Sequence, residues 1–464
     1  MSGVDIEANA SSSDVIREGD TVVCYTSDDR VFFQEILPRM TIRIGKVQIP
    51  VKCVVGFPFG SIFEEKEKTL VPVEGGLFPD PVAPEVGEFE VPTNDNRSYT
   101  DTNDSQKLSN VEIAELRAQG VNGSALIAKL VENSDTWDTK TDFSKQKYLK
   151  KKQQKYMPRI QMVRCTAMAL CDVYHVRQPS KILNLRFDII GQILSYGNIY
   201  AGAQVMVVET CMGLITGAIA ERMLGHGTLL AGYEGQQPSV DTIRRFNFDQ
   251  AVNDSIVYFP FHYIGQLDND EAALVAKEAA LNEEEQPSED VLEARKAEVA
   301  ARIAMYTEAE QKKYLAKKEQ RKLKQRQAKP KKTPSDIRAL LRAPSDSLVI
   351  VTHYDPLAVL LQLLPRLGLS RPFVVYCEYL EPLATAFDAL QRMESIINLQ
   401  LNDTWTREYQ ILPGRTHPEM TMSAGSGYLL SGIKVEATPP PPHLADLKVL
   451  PRRTNGPKKP RTRD

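Results

Sequence analysis

Residues 203–237, AQVMVVETCMGLITGAIAERMLGHGTLLAGYEGQQ, constrain the fold more than any other stretch of the chain. Val205 to Val208 form an apolar, β-branched run that ends in Glu209 and Thr210, and a tight turn follows. Leu214, Ala218, Ile219 and Met223 then recur at helical spacing until Gly225 and Gly227 stop the helix. A second apolar run, Thr228 to Tyr233, closes on Glu234. Strand, turn, helix and strand make one βαβ unit with an acid at the tip of its second strand.

In a nucleotide-type site the first turn of such a unit is glycine-rich, because a Cβ there blocks approach of the backbone to the ligand. Adenosylmethionine-dependent methyltransferases carry G-x-G-x-G at this turn. The corresponding positions here are Cys211, Gly213 and Ile215, and a stiff β-branched residue at the third is a poor host for a cofactor. The unit reads as a cofactor fold whose loop has been filled in. A parallel α/β domain that never bound a nucleotide is the simpler alternative. Glu234 stands where a ribose-binding acid would sit.

A chain of 464 residues predicts two or three domains. With 57 Lys and Arg against 60 Asp and Glu, it is not a polycation overall. The six cysteines form no C-x-x-C or paired zinc spacing, and five lie in apolar surroundings, which suits reduced packing thiols inside a cell. Residues 1–13 are small and polar, without the apolar stretch of a signal peptide, and read as disordered. No apolar run approaches the ~18 residues of a membrane span.

Along the chain, 14–63 alternates in short β-branched runs with close turns, predicting a small antiparallel β domain of barrel-like form. Residues 64–107, acidic and then proline-rich, read as a disordered loop. Residues 108–164 read as two short helices and a basic linker. From Lys140 to Arg164 there are nine Lys or Arg and one acid, Asp142, with aromatic residues interleaved. Dense cations with rings suit a phosphate backbone and stacked bases, although an import signal or a solvated helix has the same composition. Residues 165–435 alternate helix and strand, with a charged insertion at 268–345 and a final antiparallel pair closing a sheet of about seven strands. Residues 436–464 form a proline-rich, basic tail.

No P-loop, H-E-x-x-H or G-x-S-x-G occurs, and the six histidines show no metal spacing. His262 and His353 each follow a strand. At Thr352-His353-Tyr354-Asp355-Pro356 the pair Asp355-Pro356 reads as a helix start rather than as chemistry.

Five segments carry a resemblance: DFSKQKYLKKKQQKY, LRFDIIGQILSYGNIYAG, VVETCMGLITGAIAERM, SRPFVVYCEYLEPL and NDTWTREYQILPGRTHPEMTMSAGSGYLLSGIKV. They resemble the non-catalytic subunits of eukaryotic tRNA (adenine-58-N1) methyltransferases over about 14–63, 108–264 and 346–435. The resemblance implies an α/β fold: a small N-terminal β domain, then a Rossmann-like class I methyltransferase domain with a degenerate cofactor loop. It also implies no cofactor on this chain, adenosylmethionine on a catalytic paralogue, a heterotetramer of two of each, tRNA as partner, no membrane, and a nuclear location. RNA-contacting positions carried over are Lys145, Lys147, Tyr148, Lys150, Lys151, Lys152, Lys155 and Tyr156, then Arg186, Phe187 and Asp188. By spacing alone Arg186 pairs with Asp188 rather than with RNA. No catalytic, cofactor-binding or metal residues are expected. The competing readings are a self-sufficient RNA methyltransferase with a divergent loop and a pure assembly scaffold.

Overall fold

Strand β1 (Thr21–Thr26) shows how the two halves of the protein are joined, because both of its faces are covered. Val22 and Cys24 point into the core of the small domain, while Val23 points into the core of the larger one, as the two-residue period of a strand requires. In this computed structural model the described residues are 14–77 (46 and 67 apart), 107–118, 121, 123–137, 142–276, 298–299, 302–303, 311, 332–411 and 416–437. The N-terminal stretch 1–13, most of the proline-rich loop and of the charged insertion, and the tail from 438 lie outside them.

β1 pairs with β2 (Val31–Glu35) on one side and β7 (Arg159–Arg164) on the other. β7 pairs in turn with β5 (Ile62–Lys66), and β5 with β6 (Thr69–Val73). The order is β2-β1-β7-β5-β6, with a separate ribbon of β3 (Thr41–Ile44) and β4 (Val47–Pro50) sharing its core. Among the described residues no pairing closes this sheet into a barrel. Two sequence boundaries shift. Residues 64–73, expected in a disordered loop, form most of the β5–β6 hairpin. Residues 159–164, expected in a linker, are the sheet's middle strand. Charge at Glu64, Glu65 and Lys66 hid the first, but Glu64 is buried because Arg159 Nε donates to it at 3.1 Å.

Between β6 and β7 lie α1 (Asn110–Ala118), α2 (Gly123–Glu132) and α3 (Asp142–Tyr156). Ser109 and Glu112 form a reciprocal cap on α1, Ser109 N donating at 2.7 Å and Glu112 N at 3.3 Å. α4 (Ala167–Arg177), capped by Thr166, and α5 (Phe187–Tyr196) lead into the large domain.

Its central sheet begins with β8 (Gln204–Glu209), α6 (Leu214–Met223) and β9 (Thr228–Tyr233), the predicted βαβ unit. There follow α7 (Gln250–Ser255), β10 (Ile256–Pro260), α8 (Pro334–Arg342), β11 (Ser347–Val351), α9 (Pro356–Leu363), β12 (Arg371–Cys377), α10 (Leu380–Gln391) and β13 (Ile396–Trp405). A short ribbon, β14 (Tyr409–Gln410) with β15 (His417–Pro418), precedes β16 (Gly425–Lys434). The strand order β10-β9-β8-β11-β12-β16-β13 is, counted from β8, 3-2-1-4-5-7-6. β16 runs antiparallel to both neighbours, so the expected antiparallel pair is present and its last strand is inserted inside the edge. This is the Rossmann-like methyltransferase architecture, and its topological switch lies between β8 and β11.

The charged insertion leaves the domain after β10 and returns at α8. The expected boundary at 345 comes too late, because α8 is ordered and carries a capping box at Thr333 and Asp336. Arg338 is completely buried, with Nε and Nη2 both donating to Glu271 at 2.9 and 2.7 Å, and Arg342 Nη1 reaches the other carboxylate oxygen at 2.7 Å. The two ends of the insertion are thus clasped at its base. Hydrogen bonds from Arg338 hold the Glu271 carboxyl at about 2, below the ordinary 4.5. An acid lowered in the folded state stabilises fully above its unfolded pKa and loses that contribution as pH falls through the folded value. The urea midpoint is therefore expected to fall between about pH 4.5 and 2. Glu271→Gln should lower the midpoint at neutral pH and flatten this acid-side slope; an unchanged slope would remove the clasp from the account.

Candidate functional site

The crevice at the switch point is built by the turn after β8. Met212 and Gly213 take positive φ (59° and 89°), and a Cβ on Gly213 would meet Ile243 Cγ1 at 2.8 Å. The surviving glycine is thus required by this chain's own 243–245 turn. Cys211 and Ile215 are fully buried in the core shared with α4 and α5, and burial pushes the Cys211 thiol well up. Glu209, at the end of β8, accepts from Ile215 N at 3.1 Å, from Thr216 N at 2.6 Å and from the Thr216 hydroxyl. The first turn of α6, with its unpaired amides and positive dipole end, is where such a fold receives an anion. Here an internal carboxylate occupies it. Burial pushes the Glu209 carboxyl up, and the bonds from Thr216 and Ile215 oppose that shift.

Glu234, at the tip of β9, is also engaged. The Tyr354 phenol from the loop after β11 hydrogen-bonds it, and that bond pushes the phenol's pKa up. Loop backbone, helix terminus and ribose-position acid are thus all taken by groups of this chain. Glu209 as the helix-capping acid was not singled out from the sequence. Its place directly before the filled turn was the available signal.

The lysine-rich segment forms α3. By ~100° per residue, Lys147, Lys150 and Lys151 fan out opposite Tyr156, and all three are exposed, as is Lys155. Lys145 and Lys152 are half-buried, Lys145 Nζ lying 5.9 Å from the Trp137 ring centre and Lys152 Nζ 4.9 Å from that of Tyr148. The rings do not form the stacking surface expected of them. Tyr156 is buried against Ile113, Leu126, Ile127 and Leu130. Tyr148 is half-buried, its ring edge-on to Trp137 at 5.9 Å. The reason is amphipathic: among so many cations the aromatic residues, with Leu149, supply the face that docks α3 on α2. Gln154 Nε2 reaches Asp29 at 3.5 Å, so the helix also rests on the β1–β2 turn.

Arg186 and Asp188 sit elsewhere, at the start of α5. Arg186 is buried, donates twice to Asp188 at 2.9 and 3.0 Å, and gives its remaining arm to the Ala424 carbonyl at 3.0 Å. Burial raises the Asp188 carboxyl, but the Arg186 bonds outweigh it and leave the group below its ordinary value. Arg186 is thus committed to the fold, as its spacing to Asp188 indicated, and Phe187 between them is exposed. Asp355 accepts from Leu357 N at 3.2 Å and Pro356 begins α9, in agreement with the helix-start reading. Among the described residues no His, Cys, Asp and Glu cluster could hold a metal, and no helix is long and apolar enough to cross a membrane.

The fold and its closed crevice define a methyltransferase-type domain. The chain belongs to the Gcd10p family, whose pattern matches residues 15–300. It is 34% identical over 428 residues to the tRNA (adenine(58)-N(1))-methyltransferase non-catalytic subunit of Dictyostelium discoideum, covering 92% of this chain and 80% of that one. The mouse protein of the same description is 32% identical over 451 residues, covering 90% and 88%. Among solved structures, a SAM-dependent O-methyltransferase from Thermotoga maritima aligns with TM-score 0.46 and 9% identity, covering 92% of this chain and 97% of that one.

Ile215 fills the loop and the core together, so its truncation should be costly. Ile215→Ala is expected to destabilise by roughly 2–5 kcal/mol in urea unfolding; a change below about 1 kcal/mol would mean that the loop and the core are not packed as one unit.

Proposed function

We infer that this chain is the non-catalytic subunit of a tRNA (adenine(58)-N(1))-methyltransferase, working with a catalytic subunit that binds adenosylmethionine. The observation that carries the reading is the internally closed crevice in a chain whose relatives bear that description. Adenosylmethionine does not fit here: Ile215 and Cys211 fill the loop, Glu209 caps the helix that would face the cofactor, and Tyr354 engages Glu234. No step of methyl transfer is therefore assigned to this chain. Its contribution is to hold RNA and to complete the assembly.

The outward cations of α3, Lys147, Lys150, Lys151 and Lys155, are the groups proposed to meet the phosphate backbone, with Lys145 and Lys152 at their flank. α3 runs almost directly into β7, the middle strand of the small sheet, so its cations are held on a rigid element rather than on a loose linker. The exposed apolar residues Trp405, Tyr409, Ile411 and Met420 around the β14–β15 ribbon fit a subunit contact, which accords with a heterotetramer of two subunits of each kind. A nuclear location accords with the lysine-rich segments, whose composition also suits import.

Two measurements test this reading. Replacing Lys150, Lys151 and Lys152 together with Glu should weaken tRNA binding. The slope of log K against log salt should then fall by about one for each phosphate no longer neutralised. Unchanged affinity and slope would leave these lysines an import signal. In calorimetry the isolated chain should give no adenosylmethionine binding, and binding should appear after co-expression with a glycine-loop paralogue. Micromolar binding by the chain alone would favour the self-sufficient enzyme.

A further inference from the structure

A second cleft, of about 340 Å³, opens at the carboxyl ends of β11 and β12. This is the side of an open α/β sheet on which ligands are received, and the volume lies at the small end of ligand pockets. At the cleft Thr352 is 3% exposed, and its hydroxyl has no hydrogen-bond partner among the described residues. A buried, unpaired hydroxyl is unfavourable where a valine of the same shape would pack without that penalty. His353, Tyr354 and Tyr379 supply rings; His353 and Tyr354 pack with centres 4.2 Å apart, and Tyr379 is 65% exposed. Asp355 and Glu378 supply carboxylates, each with one oxygen already engaged, by Leu357 N and by Asn184 Nδ2.

The cleft wall is held in an unfavourable conformation. Leu183 and Asn184 are consecutive residues with φ of 52°, a region that a branched leucine rarely enters. The Tyr376 hydroxyl donates to the Leu183 carbonyl at 2.7 Å, and the Ser426 hydroxyl donates to that of Asn184. Such over-determined strain concentrates at ligand sites.

The lining contains no Lys or Arg, so the cleft is unsuited to a phosphate. Acceptors beside flat rings suit a planar heterocycle bearing an amino group. We propose that this cleft receives one unstacked, amino-bearing nucleobase of the bound RNA, stacked on Tyr379, with its amino group toward Glu378 and Asp355 and a ring edge toward Thr352. The inference rests on the RNA-binding reading and extends it from backbone to base. A quaternary ammonium also favours rings and carboxylates, but it carries no partner for the Thr352 hydroxyl.

The test uses the full-length chain and a single-stranded RNA decamer carrying one central 2-aminopurine. Binding should quench the 2-aminopurine fluorescence, and free adenosine should relieve the quench. Tyr379→Ala should weaken binding roughly 5- to 150-fold, the usual effect of removing one stacking ring, and abolish the quench. Thr352→Val, nearly isosteric, should weaken the quench without unfolding the chain. The Lys150, Lys151 and Lys152 to Glu variant should bind more weakly yet retain the quench at saturation. A quench unaffected by both pocket changes, or relieved by tetramethylammonium and not by adenosine, overturns the pocket while leaving RNA binding intact. Failure of the unaltered chain to bind the decamer overturns the RNA-binding reading and the pocket with it.

Discussion

The carboxylate of Glu209 lies against the first turn of α6, and the character of the large domain follows from that contact. In an open α/β sheet the helix terminus at the switch point is a source of unpaired amides and positive potential. Once Glu209 accepts from Ile215 and Thr216, that source is satisfied internally. The turn no longer needs to admit a ligand backbone-first. Cys211 and Ile215 can then bring their side chains into the core. The same event that closes the crevice therefore adds packing, which offsets the loss of a function at that position.

A second constraint is the position of β7. The chain leaves the small sheet after β6 and passes through α1, α2 and α3. It returns as the strand between β1 and β5. Because the sheet cannot form without β7, the basic helix just before it is fixed relative to both cores. β1 carries that rigidity onward: Thr21 exchanges two hydrogen bonds with Asn247 of the large domain, at 2.9 and 2.7 Å, and Phe33 packs on Tyr174 at 5.3 Å. Cations set on such a frame present a defined pattern of charge, which suits a shaped polyanion better than a flexible tail would.

The clasp of Arg338 and Arg342 on Glu271 has a similar role at the insertion. It separates the charged excursion from the sheet, so that β10 and β11 take their places on either side of the β9–β8 pair whatever the excursion does. The cost is a fully buried guanidinium that depends on one carboxylate. Burying it beside Tyr263, with the ring centre 5.4 Å away, adds a cation–π contact.

Much of this was determined by the sequence itself. Hydrophobic period and turn residues identified the βαβ unit, the filled loop, the two helices after Leu108, the α9 start at Asp355 and the Arg186–Asp188 pairing. These are local: each depends on spacings within about ten residues and on backbone preferences that tertiary packing did not overrule. What the tertiary structure decided is non-local. Glu64 and Glu65 read as loop until Arg159, far along the chain, gave Glu64 a partner and β7 gave their strand a neighbour. Tyr148 and Tyr156 read as a stacking surface until α2 covered them. The link between Tyr354 and Glu234 joins residues from two separate strand ends. Sequence carries which side chains are available. Only the fold determines which of them are used on one another, because a hydrogen bond or a buried ring needs its partner in space rather than nearby along the chain.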